Sequence, residues 1–167
     1  MGTWKNNDGL YIKYGTDEVV PAVVGEVLAG AGDLHEVEID LVYTQIASAS
    51  SPKILNDTVI IPDNAFIERV QVVTLTAWDS SGDTFVLNLG LIKTDRSTEH
   101  DYNGLIAALP QASMDPAGEV QEIIIGHTYV GAKVGTVLAD PGYITADYDT
   151  AAPTAGRSTI RIFYRML

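Results

Sequence analysis

Cysteine is missing from all 167 positions, which removes disulfides, thiolate metal sites and a cysteine nucleophile together. Stability then has to come from packing, and a single domain of this length buries roughly 70% of the surface its unfolded chain exposes. The lack of cysteine is in keeping with assembly in a reducing cytoplasm. Positive charge is scarce as well: 10 Lys and Arg stand against 22 Asp and Glu, a net charge of −12. Such a surface repels a phosphate backbone and keeps the chain soluble by self-repulsion, so no nucleic-acid partner is expected. Long apolar runs are missing too. No stretch reaches about 18 apolar residues before a Gly, a Pro or a charge interrupts it, and the opening Met1-Gly2-Thr3-Trp4-Lys5-Asn6-Asn7-Asp8-Gly9 lacks the apolar core of a signal peptide. Neither a membrane partner nor export by the general pathway is expected.

Catalytic patterns are equally sparse. The three histidines, His35, His100 and His127, fall in no metal-binding spacing. Glu99-His100-Asp101 reads as a charged turn in a loop over 92–103, because neighbours on a strand would point to opposite faces. No Gly-x-Ser-x-Gly turn presents a serine nucleophile. Gly30-Ala31-Gly32-Asp33 lacks the Lys-Ser/Thr of a phosphate loop and the helix of a dinucleotide fingerprint. With 22 acids, carboxylate pairs arise by chance, so a β-sandwich glycosidase is only a third reading. Asp140, Asp147 and Asp149 flank the Pro141-Gly142 turn but lack the dense acidic loop of a calcium site. The reading is therefore of a non-enzymatic chain with no catalytic residue, no cofactor and no metal site.

What is present is alternation with period two, broken by clusters of Gly, Pro, Asn, Asp and Ser, the mark of half-buried strands. In Glu36–Thr44, Val37, Ile39, Leu41 and Tyr43 take one face while Glu36, Glu38 and Asp40 take the other. In Thr84–Ile92, Phe85, Leu87, Leu89 and Leu91 share a face, and Gly90 marks a bulge or a close backbone approach. In Phe66–Thr76 the apolar parity shifts from Val70 and Val72 to Val73 and Leu75, which predicts a β-bulge. The turn Asp79-Ser80-Ser81-Gly82-Asp83 makes 66–76 and 84–92 the best hairpin. Further strands are expected at Leu10–Tyr14, Lys53–Ile61, Val120–Ile125, His127–Val130, Val134–Leu138, Tyr143–Tyr148 and Ser158–Tyr164. One short helix is expected at Asn103–Leu109, where Leu105, Ile106 and Leu109 fit one face and Pro110 ends it. Turn signals every eight to twelve residues or so indicate an all-β sandwich or barrel.

Residues 1–34 differ from the rest. Pro21, Gly25, Gly30 and Gly32 punctuate a Val-rich run without clean alternation, which reads as an extended N-terminal arm ahead of a sandwich domain at 35–167. An ordinary first hairpin, Trp4–Lys5 with Leu10–Tyr14 across Asn6–Gly9, is the alternative for its first part. Val19, Val20, Val23 and Val24, with Trp4, Leu10 and Tyr11, are the candidate partner-binding residues, since an extended apolar segment buries itself best along a neighbour. Trp78, Tyr102, Tyr129 and Tyr148 lie in or beside turns and read as packing residues. Arg157, Arg161 and Arg165 share a face near the end of the chain, where pairing with the chain's own carboxylates is the commoner outcome.

Ile61-Pro62-Asp63-Asn64-Ala65-Phe66-Ile67-Glu68-Arg69-Val70, then a polar turn, then Phe85-Val86-Leu87-Asn88-Leu89-Gly90-Leu91, resembles a pattern common in virion proteins of tailed bacteriophages. Asp140-Pro141-Gly142-Tyr143-Ile144-Thr145-Ala146 and Thr154-Ala155-Gly156 before Ser158–Tyr164 resemble the closing strands of small phage head and fibre proteins. The likeness spans about residues 36–165 and, more loosely, Trp4–Gly15. It implies a jelly-roll-like antiparallel β-sandwich of the head decoration, or cement, type. Such a protein would bind the major capsid protein on the outer virion surface as a homo-oligomer, trimer or dimer, after assembly in the host cytoplasm. The alternative within the same resemblance is a carbohydrate- or receptor-binding module of a tail fibre.

Overall fold

A computed structural model describes the strand pair at 2–5 and 11–14, residues 34–48 and residues 52–167. The chain divides into two compact units, Met1–Gly30 and Ala31–Leu167. In the first, β1 (Gly2–Lys5) and β2 (Tyr11–Tyr14) pair antiparallel, with Gly2 opposite Tyr14 and Lys5 opposite Tyr11.

The second unit is an all-β sandwich. Its strands are β3 (Leu34–Val42), β4 (Lys53–Ile54), β5 (Ile60–Ile61), β6 (Ala65–Ser80), β7 (Val86–Lys93), β8 (Glu99–Pro110), β9 (Val120–Ile124), β10 (Gly142–Asp149) and β11 (Pro153–Met166). One sheet runs β3-β11-β6-β9. The other runs β4-β10-β7-β8, with β5 also against β10, and every pairing is antiparallel. Taking β4 and β5 as one broken strand gives eight strand positions in the orders 1-8-3-6 and 2-7-4-5, the jelly-roll arrangement. The alternating sequences build the core from both inner faces. Ile39, Leu41, Ile67, Val70, Val72, Ile123, Ile160 and Ile162 of the first sheet meet Leu87, Leu89, Leu91, Leu105, Ile106, Leu109, Ile144 and Ala146 of the second, all buried. Each such Leu, Ile or Val stabilises the fold by about 1.5–3 kcal/mol relative to exposure.

The topology corrects several expectations. Strands 66–76 and 84–92 do not form a hairpin: β6 pairs with β11 and β9, and β7 with β10 and β8. The Ser80–Phe85 connection therefore crosses from one sheet to the other. The Ser80 hydroxyl holds it there, accepting from the amides of Thr84 and Phe85 at 3.1 and 3.0 Å and donating to Gln111 Oε1 at 2.7 Å. The segment 103–109 is not helical but lies inside β8, and Glu99-His100-Asp101 opens that strand instead of forming a loop. Among the described residues the α-helical element is α1 (Tyr43–Ile46), which ends the strand expected at 36–44 two residues early, and a single 3-10 turn follows β8 at Gln111–Ser113. Gln45 Oε1 accepts the Val42 amide at 2.7 Å, and Ile46 is buried. Lys53–Ile61 is broken into β4 and β5. His127–Val130 and Val134–Leu138 are turns with isolated bridges, Val130 to Ile106 and Val137 to Phe66, and are tied to β8 and β6 by backbone hydrogen bonds such as Ala107 N–H to Tyr129 O at 2.9 Å and Gly135 N–H to Ile67 O at 2.7 Å.

Bulges do occur in β6, but not between Val72 and Val73. One sits at Glu68, where Arg69 and Ile67 oppose the adjacent Phe163 and Tyr164, and another at Leu75. Val70, Val72 and Thr74 keep the inner face, while Leu75 turns outward. Gly90 is a close approach: a Cβ there would enter the backbone of Asp101 and Tyr102. Beside it, buried Asn88 accepts the Ala108 amide at 2.9 Å and donates to Asp149 at 2.7 Å. β8, which carries three register shifts against β7, thereby lies over the outer side of β7 at Asn88 and Gly90.

Candidate interaction surface

The sites that sequence reading set aside can be placed. Asp140 is tied to Lys93 Nζ at 2.5 Å, and this bond, helped by the charge of Lys93 and then of His100, holds its carboxyl below the usual carboxylate range. Asp149 accepts from Asn88, and Asp147 Oδ1 accepts the Tyr148 amide at 2.8 Å. Three separate partners thus divide the three aspartates. Among the described residues, no group of three or more His, Asp or Glu is arranged to hold a metal ion. Trp78 is a core residue. It stacks on Phe85 with centroids 5.0 Å apart and 2° between planes, and its Nε1 donates to the buried Ser158 hydroxyl at 2.8 Å. Tyr148 packs tilted against Phe85, and Tyr129 against His127.

The outer face of the β3-β11-β6-β9 sheet is a register-matched lattice. Following the pairings, Glu36, Phe163, Arg69 and Ile124 form one row, Glu38, Arg161, Gln71 and Glu122 the next, and Asp40, Thr159, Val73 and Val120 the third. Charge is graded across it. The β3 edge is acidic, and its acids are answered from β11 by Arg157 to Asp40 at 2.6 Å and by Arg161 to Glu38 at 2.8 Å and Glu36 at 3.4 Å. Arg165 pairs with Glu68 of β6. The shared arginine face is therefore spent on the chain's own carboxylates. These half-exposed pairs contribute only about 0.2–1 kcal/mol each. Arg69 lies 4.1 Å over the Phe163 ring and 3.4 Å from Glu122.

The β9 side of the lattice is apolar. Val120 is 50% exposed, Ile124 47% and Ile125 67%. Ile125 lies against Gly135, two residues before Val137, itself 46% exposed. The sequence carried a signal for this surface: Ile123-Ile124-Ile125 places apolar residues on both parities, one more face than the core needs. Of the candidate partner residues, Trp4 lies in β1 opposite Ile12 and Tyr11 in β2 opposite Lys5, while Leu10, Val19, Val20, Val23 and Val24 lie outside the described residues.

Neither a family model nor a curated protein sequence matches the chain. Solved structures do. A chain in the cyanophage Pam1 capsid asymmetric unit matches with a TM-score of 0.56 and 12% identity over 92% of this chain and 98% of its own. A chain in the acidic stable capsid structure of Helicobacter pylori bacteriophage KHP30 matches at 0.54 and 12%, over 82% and 90%. One in the capsid of Ralstonia phage GP4 matches at 0.52 and 18%, over 83% and 87%. At these identities the likeness is one of fold, extending over at least 82% of this chain and 87% of each of the others.

Proposed function

We propose that this chain is a bacteriophage capsid decoration protein, non-enzymatic and homo-oligomeric, which binds the outer head surface and stabilises contacts between shell subunits. The observation that carries the reading is the fold match, over 82–92% of this chain, to chains found in three phage capsids. Each of those chains is of about this one's size, one sandwich long. Charge supports the outer position, because a net charge of −12 is repelled by packaged nucleic acid and suits the solvent side of a shell. Multiplicity supports the oligomer: weak contacts repeated over a symmetric lattice gain avidity without any new contact. In this reading residues 1–34 supply an arm, with Trp4, Leu10, Tyr11, Val19, Val20, Val23 and Val24 lying along the major capsid protein.

Labelling of intact particles tests it. Antibody against this chain should decorate the whole head, and label confined to tail fibres would replace decoration by the receptor-binding reading. Removing residues 1–34 should abolish attachment to particles while the remaining sandwich stays folded and soluble. Undiminished attachment would overturn the arm's part in it.

A further inference from the structure

Among the described residues the sandwich has four edges, formed by β3 and β9 in one sheet and by β4 with β5 and by β8 in the other. An edge offers unpaired N–H and C=O groups to any passing strand, and folded proteins normally blunt it with charge, bulges or brevity. Three of the four are blunted here. Glu36, Glu38 and Asp40 stand along β3, β4 and β5 are each two residues long, and β8 is broken by three register shifts. β9 has none of these devices in strength. Its five residues keep unbroken register with Arg69–Val73 of β6. They contain no Lys, Pro or Gly, and they leave Val120 and Ile124 half exposed on the outward face with the single charge of Glu122 between them.

Charge then selects among occupants. From Asp115 to Ile125 there are three acids, Asp115, Glu119 and Glu122, and no Lys or Arg. The nearest guanidinium, Arg69, is shared between the Phe163 ring and Glu122, and Glu122 keeps 49% of its side chain exposed. A second copy pairing antiparallel through its own β9, Val120 against Ile124, would set Glu122 against Glu122, which like charges directly opposite disfavour. A strand with a cation between two apolar residues on one face would instead meet Val120, Glu122 and Ile124 in turn. We infer that β9 is a strand-addition site for an extended segment of a different polypeptide, with the pattern apolar-x-basic-x-apolar, which joins the sheet as its fifth strand. The inference rests on the decoration reading only in taking that polypeptide to be a shell subunit.

The test uses the full chain, labelled with nitrogen-15, and two capped peptides, Thr-Val-Thr-Lys-Thr-Val-Thr and its central Lys-to-Glu counterpart. The basic peptide should shift and protect the outward-pointing amides of residues 120–124 and bind about fivefold more tightly than the acidic one. Glu122→Lys should reverse the preference. Glu122→Gln, which adds no charge beside Arg69, should erase it. Equal binding of both peptides, no binding to the solubility limit, or protection of the same amides that grows with protein concentration alone would each overturn the inference, the last by making a second copy the occupant. Head labelling without peptide preference would leave decoration standing and remove β9 as its contact, whereas fibre labelling with the preference intact would do the reverse.

Discussion

Gly156→Ala should be among the most damaging single-atom-group changes in the sandwich. Gly156 has φ +132° and sits at an irregularity of β11 between Ala155 and Arg157. An added Cβ would enter the Trp78 indole at Cδ2, Cε3 and Cγ. That ring cannot retreat, because it is 2% exposed, stacked on Phe85 and anchored through Nε1 to Ser158. Two costs add. Holding a non-glycine residue in this backbone region costs about 1–3 kcal/mol, and overpacking a filled core costs about 1–3 kcal/mol more. The sum, about 2–6 kcal/mol, is a large part of the total stability of about 5–15 kcal/mol expected of a domain. Gly118→Ala is the control, since Gly118 also has positive φ, +88°, but a Cβ there meets nothing within 4 Å. Urea unfolding followed by the fluorescence of Trp78, in a Trp4→Phe background, would measure both variants. If Gly156→Ala falls within about 0.5 kcal/mol of Gly118→Ala, the close packing of glycine on indole is not what fixes this corner.

Ser158→Ala should cost about 1–3 kcal/mol in the same assay, by leaving the buried indole N–H without its acceptor. Asn88→Ala should cost a similar amount, and hydrogen exchange at the Ala108 amide should quicken ahead of its neighbours. Asp95 accepts from the Thr98 hydroxyl at 2.6 Å and from the amides of Ser97 and Thr98 at 2.8 Å, which holds its carboxyl well below the usual carboxylate range. Its stabilisation of the turn is therefore complete above the ordinary Asp value of 3.8 and is lost as pH falls through its own lower value. A carboxyl NMR titration should find Asp95 still ionised at about pH 3. Arg161→Gln, which removes two half-exposed pairs, should cost no more than about 2 kcal/mol, with the loss shrinking in high salt.

Where a strand has one wet face, its sequence announced it. Val37, Ile39 and Leu41 alternate with Glu36, Glu38 and Asp40; Ile39 and Leu41 line the core and the partly buried Val37 packs against it, as the period-two reading expects. Where a strand is bulged, the signal fails. Leu105, Ile106 and Leu109 show helix-like spacing because β8 is bulged: Ile106 and Leu109, three apart, oppose Leu89 and Leu87, two apart. A bulged strand thus imitates the repeat of a helix. The turn at 79–83 was legible as a turn, yet local chemistry carries no information about which sheet receives the next strand. Gly90 was legible because only a missing side chain admits another backbone so closely. The exposed edge at β9 was the least visible, since Val120–Ile125 reads like any other strand until its single neighbour is known.

The position of β11 has a consequence for how the chain comes to be folded. It follows every other strand described here and yet lies in the middle of its sheet, pairing with β3 on one side and β6 on the other. Until it leaves the ribosome, β3 and β6 have no partner between them, and the inner faces of both wait with their isoleucines and valines uncovered. Such long-range closure is slow and exposes the nascent chain to false pairing. The two parts of the first sheet, β3 and the β6–β9 pair, are therefore joined only late, so that a chain stopped before residue 153 should accumulate as aggregate instead of as a smaller sandwich.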